Sequence, residues 1–337
     1  PRRGTGRVTL ADVARIAEVS AQTVSRVLNT PDTVPPATIA RVRQAIQTAG
    51  YVPDRLAGAL ASGRSRLVAA LVPTIGGPVF LETLQALSQA LGKRGYQLML
   101  GESGYDDADE EQLIENLISR RPDGVVLTRI VQSSAARERL KLTGIPVVET
   151  WDLTDTPVDM LIGFSHEAVG AHVAEFIAGL GRRRPALLTG DDPRAGLRRR
   201  AYAMRLVALG LLESDSALPV AEAHAPLTLG SARAAFARLL ENQPDIDAIF
   251  CSTDVAAWAA VTEAQTRGLQ VPKDLAVVGF GDLGFSADMV PALTTVRIDG
   301  ATMGAQAAHW IMDRAEGRQP TATSVDVGFT LIRREST

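Results

Sequence analysis

Ala21, Gln22, Thr23, Ser25 and Arg26 stand close together on what the spacing predicts is a short helix, and their side chains suit contact with a nucleic-acid duplex. Glutamine offers a donor and an acceptor that pair bidentately with adenine, and an alanine methyl fits the methyl of thymine. The hydroxyls of Thr23 and Ser25 and the guanidinium of Arg26 suit phosphates, contacts that set position rather than sequence. For that chemistry the five must ride the outer face of a helix held against the major groove by a second helix. Residues 9–29, TLADVARIAEVSAQTVSRVLN, predict that arrangement. Thr9 with Asp12 three residues on is a capping-box-like start, and Val13, Ile16 and Ala17 form one apolar face. Glu18 and Val19 make the turn, and Ser20 caps a second helix whose Val24, Val27 and Leu28 face the first. The alternative is an ordinary helical hairpin with a solvated face.

A third helix extends the unit. Pro35-Pro36 opens it, Ile39, Val42, Ala45 and Ile46 lie at helical spacing, and Gly50 stops it. Charge separates this region from the rest. Residues 1–66 hold ten arginines and no lysine against four acids, a balance of +6, whereas the remainder holds 25 basic and 34 acidic residues, a balance of −9. The total of −3 therefore hides a basic head on an acidic body, the distribution of a nucleic-acid binder carrying a regulatory domain.

The elements TLADVA, VS and TVSRVLN, the GY before a proline, and the run RLAGALASGRS resemble the headpiece and hinge of the lactose-repressor (LacI) family of bacterial regulators. The resemblance implies a hinge helix that folds on the operator. Leu60 would wedge into the minor groove, and Ala57 and Ala61 would face the partner's hinge; apolar wedges of this kind kink DNA at the expense of stacking. Gly58 lowers hinge helicity by about 1 kcal/mol relative to alanine, so this hinge should lean on DNA and dimer contacts to fold. The implied DNA-binding set is Thr9, Ser20, Ala21, Gln22, Thr23, Ser25, Arg26, Asn29, Tyr51, Arg55, Ala57 and Leu60.

From Leu67 onward short aliphatic runs alternate with amphipathic stretches: LVAALVP, a helix over 79–94, YQLMLGES, a helix near 108–120, DGVVLT, a helix near 133–143, and PVVET. A second set follows MLIGFS, with helices over 166–181, 197–210, 230–241 and 254–267 between PALLTG, DAIFCST and LAVVGFGD. This alternation predicts an α/β core of two parallel sheets, each covered on both faces, with a small-molecule crevice at the carboxyl ends of the strands. VPTIGGPVF, GFSHEAVG, RRRPALLTGDD, VPKDLAVVGFGD and PALTTVRID resemble the same family's core, itself similar to type I periplasmic sugar-binding proteins, so the resemblance spans essentially the whole chain. The expected division is a headpiece over 1–52, a hinge over 53–66, and a core over 67–337. Within the core, an N-subdomain takes about 67–162 and 296–325, and a C-subdomain about 163–293 and 326–337.

By that resemblance Arg198, four residues before Tyr202, is the arginine that forks onto ligand oxygens, and Arg199 and Arg200 form a solvated face. Asp254 matches the aspartate that accepts ligand hydroxyls, with helix capping as its alternative role. Phe164, Trp151 and the loop 74–80, Thr74 and Phe80 above all, are further candidates, since sugar faces stack on aromatics; core packing is the competing role. The family commonly carries two aspartates after GF, but here Gly279-Phe280-Gly281-Asp282 keeps only the second, Asp282. Losing an acid beside an arginine favours an anionic ligand. With ETWDLTDTPVDMLIGFSHE, this resembles the gluconate-repressor branch and implies a sugar acid or its phosphate as effector.

Enzyme readings lack support. His166, His172, His224 and His309 are scattered, and no GxSxG, Walker lysine loop or phosphate-cradling GxGxxG follows a strand. No cofactor and no metal are expected. Cys251 is the one cysteine, which suits a reducing cytoplasm, and neither an export signal nor a membrane-length apolar run is read. The chain ends LIRREST, without a leucine-rich tail. The expected protein is a cytoplasmic homodimer that represses from a pseudo-palindromic operator and is released by its effector, not an enzyme. Its competitors are a sugar-binding receptor without DNA regulation, and a neutral-sugar regulator using a corepressor.

Overall fold

A computed structural model describes residues 8–52, 64–104 and 107–337, and the chain divides into two compact units, Pro1–Ser65 and Arg66–Thr337. In the first unit, α1 (Leu10–Ile16), α2 (Ala21–Asn29) and α3 (Pro36–Ala49) close over Val13, Ala14, Ala17, Val24, Val27, Val42 and Ala45. Thr9 and Asp12 form a reciprocal capping box, the Thr9 amide donating to Asp12 Oδ2 at 3.0 Å and the Asp12 amide to Thr9 Oγ1 at 3.4 Å. Ser20 caps α2 by accepting from the Thr23 amide at 3.1 Å. Ile16, expected on the inner face of α1, is 43% exposed, and Ala14 takes its place. Seven residues give α1 fewer than two full turns, so the inner stripe is set by its fit against α2 and α3 rather than by spacing alone.

The second unit holds two six-stranded sheets. The first is built from β1 (Leu67–Val72), β2 (Gln97–Glu102), β3 (Gly124–Leu127), β4 (Val147–Thr150), β5 (Met160–Gly163) and β11 (Ser324–Asp326), in the order β11-β5-β4-β3-β1-β2, all parallel. The second is built from β6 (Pro185–Gly190), β7 (Val220–Ala223), β8 (Ala248–Cys251), β9 (Ala276–Phe280), β10 (Thr294–Arg297) and β12 (Thr330–Ile332), in the order β12-β10-β9-β8-β6-β7. Its strands are parallel except that β12 runs antiparallel to β10, an edge strand that sequence periodicity did not predict. Helices α4 (Leu81–Lys93), α5 (Asp107–Ile118), α6 (Ser134–Thr143) and α11 (Gly300–Ala315) belong with the first sheet. Helices α7 (His166–Gly179), α8 (Pro193–Ala208), α9 (Leu229–Asn242) and α10 (Asp254–Thr266) belong with the second. The central strands are buried on both faces, which is why they read as unbroken aliphatic runs.

The chain passes between the two halves three times. The second passage comes after Arg297, not before Val296, because Thr294, Thr295 and Val296 pair with Val278, Gly279 and Phe280 of the second sheet. Asp326 likewise pairs in the first sheet, with Gly163. Helix α8 begins four residues before its expected start: Asp192 accepts from the Ala195 amide at 3.0 Å, and Pro193 follows at the first helical position. No helix among the described residues is long and apolar enough to cross a membrane.

Helices α7 and α8 meet through Gly170, where an added Cβ would lie 2.3 Å from the Arg198 carbonyl oxygen. Backbone cannot yield there as a flexible side chain would. Gly170→Ala should therefore cost about 1–3 kcal/mol, as overpacked cores do, and shift the backbone that carries Arg198. Urea unfolding checks the first effect; an unchanged midpoint would contradict the close contact.

Candidate DNA-reading helix and ligand cleft

On α2, Ala21, Gln22 and Arg26 are exposed, while Thr23 and Ser25 are half-buried. The hydroxyls are tied locally, Ser20 Oγ lying 2.9 Å from Thr23 Oγ1, and Asn29 Nδ2 donating to the Ser25 carbonyl at 3.0 Å and to Ser25 Oγ at 3.3 Å. Local capping thus holds the helix start that carries Ala21 and Gln22. Thr9 spends its hydroxyl on the α1 cap, and Tyr51 packs half-buried against the three-helix core. Arg55, Ala57 and Leu60 lie outside the described residues.

In the second unit a cleft opens between the two halves. Thr74, Pro78 and Phe80 line it from the loop after β1, Trp151 from the end of β4, His166 from the start of α7, and Arg194 and Arg198 from α8. Ser252, Thr253 and Phe280 come from the carboxyl ends of β8 and β9, the position at which parallel sheets present ligand sites. Thr74, Phe80, Trp151 and Arg198 of the expected set are therefore brought together.

Arg198 is 5% exposed and its Cζ lies 4.3 Å from the Phe280 ring centroid. One terminal nitrogen donates to His166 Nδ1 at 2.9 Å and the other to the Ser252 carbonyl at 3.4 Å. Its Nε is buried without a hydrogen-bond partner, the one such side-chain nitrogen or oxygen among the described residues. Burial pulls its pKa down to about 10, with Asp192 opposing the shift and Arg194 adding to it. A buried guanidinium with a donor to spare calls for an acceptor, and an anionic one best offsets its desolvation. Arg199 pairs with Glu222 and Arg200 is exposed, so both sit on the outside of α8.

His166 fixes that guanidinium. Its Nε2 donates to the Trp151 carbonyl at 2.8 Å, which leaves Nδ1 as the acceptor for Arg198 and the ring neutral. Burial, then the charges of Arg198 and Arg194, hold its pKa well below the usual value of 6.5. The unfolded chain therefore takes up this proton first as pH drops. His166's contribution to stability is complete above about pH 6.5 and is lost towards its lower folded value at up to about 1.4 kcal/mol per pH unit. Relative to His166→Gln, the wild-type protein should lose stability between pH 7 and 5.5 by denaturant titration; parallel profiles would show that the ring is not held neutral.

Three expected ligand residues fall elsewhere. Asp254 is fully buried and its carboxylate is saturated: it accepts from Thr295 Oγ1 at 2.6 Å, Ser286 Oγ at 2.6 Å and the Leu283 amide at 2.8 Å, tying three segments beneath the cleft floor. Thr253, not Asp254, caps α10. Phe164 is fully buried among Trp151, His166 and Phe280, so its ring is core packing. Asp282 is absorbed by Arg334 at 2.7 Å and Arg297 at 3.2 Å. Trp151 lines the cleft, but its indole nitrogen donates to Thr83 Oγ1 at 3.1 Å and its ring lies edge-on to Phe80, so it is a wall held in place rather than an open stacking platform. Gly281 carries φ +125, a conformation aspartate avoids, so backbone geometry accounts for the glycine independently of ligand charge. Arg194, His166, Ser252 and Phe280 were not singled out by sequence; RRR and GF drew notice to Arg198 and Gly281 instead.

Residues 9–54 match the family of bacterial regulatory proteins named for lacI, and residues 174–337 match the periplasmic binding protein-like domain. The HTH-type transcriptional regulator GntR of Pseudomonas aeruginosa is 35% identical over 336 residues, an alignment covering 99% of this chain and 97% of that one. The chain belongs to the LacI family. Among solved structures, a LacI-family transcriptional regulator from Silicibacter pomeroyi is similar with a TM-score of 0.89 at 31% identity, over 98% of this chain and 99% of that one. The complex of the transcriptional regulator CelR with cellobiose is similar with a TM-score of 0.68 at 29% identity, over 98% of this chain and all 100% of that one. This LacI-family member is accordingly a DNA-binding transcriptional regulator with an N-terminal helix-turn-helix and a periplasmic-binding-protein-like core.

Proposed function

We propose that this regulator works as a homodimeric repressor whose effector is a gluconate-like sugar acid, and that effector binding releases it from a pseudo-palindromic operator. The headpiece, 1–52, reads one half-site; the hinge, 53–66, joins it to the core, 67–337, which binds the effector. The observation that carries the ligand class is the buried, partly unpartnered Arg198 in a cleft whose ionisable lining is His166, Asp192, Arg194 and Arg198. His166 is neutral and Asp192 caps α8, so two guanidiniums and one carboxylate line the cleft, with the Asp152 charge also acting on both arginines. A neutral-sugar effector is the second reading, favoured by the apolar walls Phe80 and Phe280 and by the cellobiose complex of a relative.

Titration calorimetry with gluconate, glucose and cellobiose separates the two. Gluconate is expected to bind, and at a hundred times its dissociation constant to stabilise the fold by about 2.7 kcal/mol. Heat from glucose or cellobiose with none from gluconate would reject the sugar-acid reading while leaving the regulator's family standing.

A further inference from the structure

Arg194 lies one helical turn before Arg198, and the two side chains take different partners. Arg198 stays within the second half, over Phe280 and against Ser252. Arg194 crosses the cleft: a terminal nitrogen donates to the Thr128 carbonyl at 2.7 Å, and its Cζ lies 5.0 Å from the Phe80 ring centroid. Both partners belong to the first half. Thr128 is a rigid anchor, fully buried, with its amide and its hydroxyl both directed at the Leu71 carbonyl, at 3.1 and 3.0 Å. Phe80 is braced edge-on by Trp151, with ring centroids 5.0 Å apart. A half-buried cation thus bridges two halves that the chain links at three passages.

We propose that Arg194 is the coupling residue of this cleft: it sets the spacing of the two halves through Thr128 and Phe80, and an anionic effector on Arg198 draws it away. The idea rests on the sugar-acid reading for the ligand, but not for the bridge. Residues four apart on a helix share one face, so a carboxylate beside Arg198 comes within reach of Arg194. The choice between acceptors follows from their charge. A guanidinium bond to a carboxylate is roughly twice as strong as the one to the neutral Thr128 carbonyl, so an anion competes with Thr128 for Arg194 where a sugar hydroxyl does not. Arg194 is in this way a positioning residue that makes the response, beyond binding itself, selective for negative charge.

Arg194→Met and Arg194→Lys, in the full-length protein, test the two parts separately. Without effector, amide hydrogen exchange over residues 74–80 and 124–131 should speed up severalfold in Arg194→Met, because the bridge and its cation–π contact are gone, with Arg194→Lys intermediate. With gluconate, Arg194→Met should bind more weakly than the wild-type protein because one of the two cleft guanidiniums is gone, and coupling is therefore compared at gluconate concentrations that saturate each protein by calorimetry. The coupling in Arg194→Met, the ratio of operator affinities without and with gluconate, should fall from the order of tenfold to about onefold. Unchanged exchange in both variants would overturn the bridge. Coupling of wild-type size in Arg194→Met would overturn the coupling role. Absence of gluconate binding by the wild-type protein would instead reject the sugar-acid reading and leave the exchange result to decide the bridge.

Discussion

Arg198→Met is expected to keep operator binding and abolish the response to sugar acids. The side chain sits in the core cleft, and the reading helix is carried by the separate headpiece unit, so the loss falls on the effector alone. Removing one partner of a desolvated charge pair costs about 2–5 kcal/mol, a drop in effector affinity of roughly 30-fold to several thousandfold. Stability should change little because two terms oppose. The fall in the Arg198 pKa to about 10 corresponds to a burial cost of about 3 kcal/mol that methionine removes. Against this, His166 Nδ1 loses its donor, at about 1–3 kcal/mol for an unsatisfied buried acceptor. Calorimetry with gluconate, thermal unfolding and operator gel shifts on the one variant check all three statements. Retained gluconate affinity would remove Arg198 from the effector site.

Gln22→Ala should relax base preference at one position per half-site. A bidentate glutamine–adenine pair is worth about 1–3 kcal/mol, and a dimer loses two, so operator affinity should fall by about 2–6 kcal/mol in total. The exposed side chain at the second position of α2 has no structural role to confuse the result. Arg26→Ala makes the contrast: weaker binding to all sequences and a shallower dependence on salt, by about one unit of slope for each phosphate left unneutralised. Selection from random duplexes reads both. The parental consensus at parental affinity from Gln22→Ala would mean that Gln22 does not read a base.

Features whose partners lie close in sequence were legible from the residues alone. The Thr9–Asp12 capping box, the Ser20 cap and the Gly50 stop each involve residues within a few positions, and each is present as read. The aliphatic strands were legible because both their faces are buried. Arg198 was legible only by resemblance. What makes it a candidate in physical terms, His166 at 2.9 Å and the Ser252 carbonyl at 3.4 Å, comes from residues 32 and 54 positions away. Asp254 misled for the same reason: the hydroxyls that consume its carboxylate, Ser286 and Thr295, arrive 32 and 41 residues later on other segments. Arg194 was passed over because its partner carbonyl, Thr128, stands 66 residues earlier, in the other half of the core. The edge strands β7, β11 and β12 are three or four residues long and partly exposed, too short for a period to show.

Charge on the effector, read at Arg198, is proposed to set operator affinity. Fluorescence anisotropy of a labelled duplex, recovered from random-sequence selection with the wild-type protein and titrated with that protein at fixed ionic strength, tests this most directly. Saturating gluconate should weaken operator binding by about 5–150-fold in the wild-type protein, glucose at the same concentration should leave it unchanged, and Arg198→Met should show no gluconate effect. Operator affinity that ignores gluconate but responds to a neutral sugar, or a gluconate effect that survives Arg198→Met, would contradict the account.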